Sequence, residues 1–161
     1  MELGILHMRP PHGLTRLAAR LPIWLYQAGL GWLLGDRFLM LTHIGRKSGL
    51  SRQVVLEVVA HDKGDDTYVV ASGWGERSDW FRNIQHNPEV VVTTGRRRFA
   101  ARSCWLSTDE ATQTLCDYVR RHPVVGRNVG KLILGEPLDG REESCRRVAE
   151  VIPLVALRRE S

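Results

Sequence analysis

The 161-residue sequence predicts an α+β fold that is mainly β: a mostly antiparallel sheet closed into a barrel, with helices before and after it. Three observations predict it. Between residues 37 and 106, runs of alternating apolar residues follow one another across short turns, which leaves no room between most of them for the helical crossovers a parallel sheet needs. Residues 107–161 turn to helical periodicity behind helix-start signals. The length suits one domain around one real core, and a sheet of five or more short strands disposes of its edges most simply by closing. The expected organisation is a single domain with a helical segment over 1–36, a barrel core over 37–106, and a helical part over 107–161 that ends in a strand.

Residues 21–34 are the most apolar stretch, but Pro22 and Gln27 interrupt them and they fall short of the roughly 20 residues a membrane-spanning helix needs. Twenty residues precede the stretch and no small-x-small cleavage pattern follows it, so it does not resemble a signal peptide. Trp24, Ala28 and Trp32 recur every four residues behind Arg16 and Arg20, the pattern of an amphipathic helix resting on a core or, as the second reading, on a membrane surface.

Strands follow. Leu39, Leu41 and His43 alternate with Met40, Thr42 and Ile44; Val54, Leu56, Val58 and Ala60 alternate with Val55, Glu57, Val59 and His61 in a run that is apolar on both sides, as in an interior strand. Asp62-Lys63-Gly64-Asp65-Asp66 is a turn, with Thr67 to Ser72 returning. A short helix opens at Ser78, the expected N-cap, and stops at Asn87-Pro88. Glu89 to Thr94 and Arg97 to Leu106 form a strand pair around Gly95. Ser107-Thr108-Asp109-Glu110 is a capping box for a helix to about Arg121, and Asp139 with Glu142 predicts a second box for a helix to about Val151. Val124 to Leu134 lies between them. Residues 151–157 are β-branched and apolar, an expected edge strand in which Pro153 is tolerable.

The formal charge of +5 rests on Arg far more than Lys. The cations cluster at Arg46, Lys47 and Arg52, at Arg96, Arg97, Arg98 and Arg102, and at Arg158 and Arg159. Such a balance suits an anionic small molecule, a membrane surface or nucleic acid, although no nucleic-acid module accompanies it. Three widely spaced cysteines without a CxxC pair argue against a disulfide framework or a metal site and suit a cytoplasmic location.

The most informative motif is Gly45-Arg46-Lys47-Ser48-Gly49, a tight basic turn between two strands. It gathers two cations and several backbone N–H groups in one concavity, which is what a phosphate or carboxylate requires. Glu57 is a carboxylate on an apolar strand and needs a partner: an ion pair with an arginine or, alternatively, a place in a proton relay.

Four segments in order carry a resemblance: Leu41-Thr42-His43-Ile44-Gly45-Arg46-Lys47-Ser48-Gly49 with Arg52, Val70-Ala71-Ser72-Gly73-Trp74-Gly75, Trp80-Phe81-Arg82-Asn83, and Asn87-Pro88-Glu89-Val90. Together they resemble the deazaflavin-dependent nitroreductase family, over residues 37–94 strongly and around Ile152-Pro153-Leu154-Val155 more weakly. The resemblance implies a split β-barrel of the FMN-binding type and, as cofactor, coenzyme F-420, a deazaflavin with a phospholactyl oligoglutamate tail. FMN is the alternative cofactor. It implies hydride transfer to a small electron-poor acceptor such as a quinone, enone or nitro compound, by a monomer or homodimer; a non-catalytic carrier and an FMN or haem protein on the same barrel are its rivals.

By the same resemblance, Arg46, Lys47 and Ser48 meet the phosphate and the start of the tail. Arg52, Gln53, Val54, Val55, Leu56 and Glu57 line the cofactor along one strand, and Val70, Ala71, Ser72 and Gly73 supply backbone groups near the ring. Asp79, Trp80, Phe81, Arg82 and Asn83 close the site, with Trp80 against the ring or, equally, a plug of the core. Relatives often carry Lys and Tyr at the positions of Gly73 and Phe81. The expected proton donor therefore shifts to Ser72, with Tyr26, Tyr118 and water as alternatives.

Overall fold

The computed structural model describes residues 28, 35–72 and 77–161. The expected N-terminal helix with Trp24, Tyr26 and Trp32 lies outside the described residues, as do residues 73–76. The described residues form six strands and four helices: β1 (Phe38–Ile44), β2 (Ser51–Asp62), β3 (Thr67–Ala71), α1 (Asp79–His86), β4 (Glu89–Thr94), β5 (Arg97–Trp105), α2 (Thr108–Arg121), α3 (Pro123–Leu134), α4 (Glu142–Ala149) and β6 (Leu154–Arg159).

The strands close into a barrel in the order β1-β2-β3-β6-β5-β4, and every pairing is antiparallel. The last strand is not the expected edge strand. It lies between β3 and β5, with Val70 opposite Val155 and Cys104 opposite Ala156. Pro153 is tolerated because it stands one residue before the strand, where its carbonyl accepts the Ser72 N–H at 3.1 Å. Four consecutive buried residues, Leu154 to Leu157, face the barrel interior and the helices by turns, which an edge strand would not need.

Alternation divides the apolar residues between two clusters. Leu39, Leu41, Tyr68, Val70, Val90, Val92, Phe99, Val155 and Leu157 fill the barrel interior, with Trp80, Phe81 and Ile84 of α1 inserted among them. A second cluster joins the outer faces of Val59, Val69, Leu154 and Ala156 to α2, α3 and α4 through Leu115, Val119, Ile133 and Val148.

The capping box at Ser107 and Glu110 forms in both directions. The one expected at Asp139 and Glu142 does not. α4 begins two residues later than a box would set it, with Arg141 as its N-cap and no side-chain cap, because the Asp139 carboxylate accepts the Arg141 N–H at 3.0 Å within a turn of its own. The helix ends at Ala149 instead of reaching Val151. Ser78 occupies the N-cap position of α1 as expected, but its hydroxyl makes no cap hydrogen bond and accepts one from Ser72.

β2 positions the site. Residues Ser51 to Glu57 pair with β1, whereas the pairing with β3 begins only at Val58, beside a bulge between Val58 and Ala60. The bulge lets one strand serve β1 along its first half and β3 along its second. Among the described residues, the other edge of Ser51 to Glu57 carries no strand, and this stretch is only half-buried beyond Arg52.

Candidate active site

The β1–β2 connection is held by its own backbone. The Gly45 N–H donates to the Leu50 carbonyl and the Gly49 N–H to the Gly45 carbonyl, both at 2.8 Å, and the Ser48 hydroxyl accepts the Leu50 N–H at 3.2 Å. Gly49 sits at φ +68°, where a side chain would be strained. A Cβ on Gly45 would lie 2.6 Å from Ser48 Oγ, so a larger residue there would displace the hydroxyl that accepts the Leu50 N–H.

α1 seats this turn. Asn83, buried on α1, accepts both the Arg46 backbone N–H at 3.1 Å and the Arg46 guanidinium at 2.8 Å through Oδ1. Asp79 accepts from the same guanidinium at 3.2 Å. The Asn83 amide nitrogen stands 3.1 Å from His43 Nδ1, on the inward face of β1. His43 is buried, and desolvation lowers its pKa from the ordinary 6.5 to about 4; the charge of Arg52, directly opposite on β2, pushes the same way, while Asp79 opposes. The imidazole is therefore neutral at pH 7. Lys47 and Arg52 are exposed at the rim, and among the described residues neither makes an ion pair.

Beside the turn, Gln53, Val54, Val55 and Leu56 run half-buried along the edge of β2 on which no described strand pairs, with Val54 and Leu56 packed on the interior cluster. The end of β3 reaches the same corner. Ser72 is fully buried, and its hydroxyl donates to Ser78 Oγ at 2.9 Å immediately before α1. The turn, this edge of β2, the end of β3 and the start of α1 thus meet at one mouth of the barrel.

Other predicted site residues sit apart. Trp80 and Phe81 are 7 % and 1 % exposed and meet edge to face in the interior cluster, so in this structure they fasten α1 to the barrel. Val70 is fully buried in that cluster and Ala71 packs on the outer one. Arg82 is exposed on α1. Glu57 points toward α2, where the Tyr118 hydroxyl donates to it at 2.6 Å and Arg37 pairs with it at 3.5 Å. The expected ion pair with an arginine is present, and the tyrosine is an added partner. Burial and the neighbouring Glu57 raise the Tyr118 pKa well above the ordinary 10, so the phenol keeps its proton. Gly73 is outside the described residues. His43 was missed as a site residue. Its signal was a polar side chain at an inward position of β1, two residues before the basic turn.

The donor set fits a phosphate-bearing deazaflavin. Lys47 and Arg52 stand exposed at the rim without an ion pair among the described residues, the pinned Arg46 lies beside them, and a half-buried strip runs from them along β2. Exposed cations suit an anionic tail, and the strip suits a flat ring.

Comparison with known proteins agrees. The family model for F-420H(2)-dependent quinone reductase matches residues 20–129. No curated protein is significantly similar to the chain. Among solved structures, an F-420-H2 dependent reductase (FDR-A) is similar with a TM-score of 0.53 at 20% identity, over 77% of this chain and 96% of that one. A structure described as a domain-swapped dimer is similar with a TM-score of 0.55 at 18% identity, over 91% of this chain and 100% of the other. A protein of unknown function from Agrobacterium tumefaciens reaches a TM-score of 0.54 at 17% identity, over 97% of this chain and 59% of its own. At these identities the structural likenesses speak for the barrel, and the family match speaks for the chemistry. The chain belongs to the F-420H(2)-dependent quinone reductase family, and is a deazaflavin-dependent oxidoreductase that uses coenzyme F-420 and acts on a small molecule.

Proposed function

We propose that the protein reduces a quinone at the mouth of the barrel, with the deazaflavin tail held by the β1–β2 turn and its ring laid along the Gln53 to Leu56 edge of β2. The single observation behind this reading is the meeting of the basic turn with α1: Arg46 is fixed by Asn83 and Asp79 beside the half-buried strip from Gln53 to Leu56.

When bound, the reduced cofactor supplies the hydride; binding and orientation fall to the chain. Arg46, Lys47, Ser48 and Arg52 take the anionic groups, with Lys47 and Arg52 free to turn toward them. Val54, Val55 and Leu56 carry the ring and keep water from one face. Ser72 and Ser78 hold the end of β3 against α1, which makes Ser72 a positioning residue in this proposal. The proton that follows the hydride comes from water at the mouth, because the Ser72 hydroxyl donates its hydrogen bond to Ser78 and the Tyr118 hydroxyl donates its own to Glu57. Trp80 supports the site through its packing, and Asp79 and Asn83 through Arg46.

The test is a titration of the protein with deazaflavin, FMN and haem in parallel, followed by menadione turnover. Charge-assisted hydrogen bonds contribute about 1.5–3 kcal/mol each, so the double variant Arg46→Ala, Lys47→Ala is expected to bind deazaflavin at least about tenfold more weakly, with the loss shrinking in high salt. Equal titration curves for the variant and the wild type would take the turn out of the site.

A further inference from the structure

We infer that His43 is a positioning residue of the cofactor site, acting through Asn83 to hold the Arg46 turn in its ligand-ready form. The inference rests on the reading of that turn as the anion site. Donor and acceptor chemistry leave little choice in how the three residues connect. The Arg46 peptide N–H and guanidinium can only donate, and both converge on one atom of Asn83, at 3.1 and 2.8 Å. That atom must be the amide oxygen. The Asn83 NH2 is thereby turned to His43 Nδ1, 3.1 Å away. Two donors cannot face each other, so Nδ1 must be unprotonated and the ring proton must sit on Nε2.

Asn83 thus has one orientation that satisfies all its partners: the two Arg46 donors fix its oxygen, and His43 completes it by accepting from the NH2. Without an acceptor at the position of Nδ1, the orientation that serves Arg46 leaves a buried donor unpaired, and the cost of that donor weakens the hold on the turn. Among the described residues, the charged groups around the imidazole are Arg52 across the β-ladder and Asp79 and Arg46 on the far side of Asn83, and the lowered pKa of His43 agrees with a neutral ring. His43 is buried, and it acts on the turn at one remove, through Asn83.

Nitrogen-15 NMR of the histidine rings in the full-length protein at pH 7, without ligand, reads the tautomer directly. A neutral His43 with its proton on Nε2 is expected, and a proton on Nδ1 overturns the inference whatever the enzyme does. Two variants follow. His43→Phe keeps the shape without the acceptor and is expected to weaken deazaflavin binding and raise KM for it about tenfold with little change in kcat, the size of one neutral hydrogen bond. His43→Asn places an oxygen near the Nδ1 position and is expected to restore most of the affinity. Wild-type affinity in folded His43→Phe, while the Arg46→Ala, Lys47→Ala variant still binds weakly, overturns the role of His43 and leaves the turn as the anion site. Wild-type affinity in both removes the turn and the inference together. If His43→Phe does not fold, equal weakening by His43→Asn and His43→Leu counts against the inference, because only the first restores an acceptor.

Discussion

Two side chains show how a polar residue survives inside this barrel. His43 is neutral because burial and Arg52 disfavour its charged form. The unfolded chain takes up a proton at that histidine near pH 6.5, whereas the folded protein does so only near 4. Its contribution to stability is therefore complete above about pH 6.5 and lost as the pH falls toward 4, at up to about 1.4 kcal/mol per pH unit. Below pH 4 it is flat. Urea denaturation at pH 7, 5.5 and 4.5 is expected to show a shallower fall for His43→Asn than for the wild type; parallel curves would mean that His43 titrates normally. Tyr118 solves the same problem by a short bond to Glu57. Because a buried phenol loses little by becoming phenyl while the half-buried carboxylate loses a donor, Tyr118→Phe is expected to cost about 1–3 kcal/mol in thermal or chemical denaturation. Deazaflavin affinity should not change, since Glu57 faces α2 and not the turn. A loss of affinity at unchanged stability would bring Tyr118 into the active site.

Elements were legible in the sequence where local chemistry decides them. The Ser107 box opens α2, the alternation of Val90, Val92 and Thr94 marks β4, and the Asn87-Pro88 step ends α1. Expectations failed where a local signal met a tertiary competitor. The hydroxyl of Ser78 goes to Ser72 and not to its own helix, and Asp139 is drawn into a turn before α4. β6 was misjudged because Pro153 reads as an edge signal, while barrel closure, set by pairing partners far away in the chain, places the strand between two others. In the site, the basic turn announced itself by composition. Its connection through Asn83 to His43 did not, because it joins residues about 40 positions apart. Packing between elements yields one further expectation at Gly130 of α3. A Cβ there would stand 2.1 Å from the Leu138 nitrogen and 2.6 Å from the Glu136 carbonyl. Helix propensity alone favours alanine over glycine by about 1 kcal/mol, but the obstacle is backbone, which cannot swing aside. Gly130→Ala is therefore expected to destabilise the protein by about 1–3 kcal/mol in urea denaturation. A stabilised variant would show that the loop after α3 yields freely.

On the scale of the whole molecule, the barrel is closed at the end opposite the active site by charge as well as by strand pairing. Asp66 stands in the β2–β3 turn at φ +59°, a conformation that Asp and Asn tolerate better than most residues. Its carboxylate accepts from Arg97 through both oxygens, from Arg159 at 3.2 Å, and meets His61 at 3.0 Å. Arg97 begins β5 and Arg159 ends β6, so one side chain ties together the two halves of the chain that closure must unite. Both guanidinium groups also lie over the Phe99 ring, at 5.2 and 5.5 Å from its centre, which holds them in place before they reach the carboxylate. Hydrogen bonding from Arg97 is the main cause that keeps the Asp66 carboxyl well below its ordinary pKa, with His61 and Arg159 adding to it against the cost of desolvation. A carboxylate whose pKa is depressed by folding stabilises the protein above its unfolded value, near 4, and that stabilisation disappears as the pH falls further. Asp66→Asn keeps the backbone conformation and the shape while removing the charge. It is expected to lower stability at pH 7 by about 1–3 kcal/mol, toward the lower end because both arginines are half-exposed and salt screens them. It should also flatten the acid limb below pH 4, and leave deazaflavin affinity unchanged because the active site lies at the other mouth. Denaturation of wild type and variant at pH 7 and pH 3 checks all of this, and an equal loss at both pH values would show that the carboxylate serves by its shape in the turn and not by its charge.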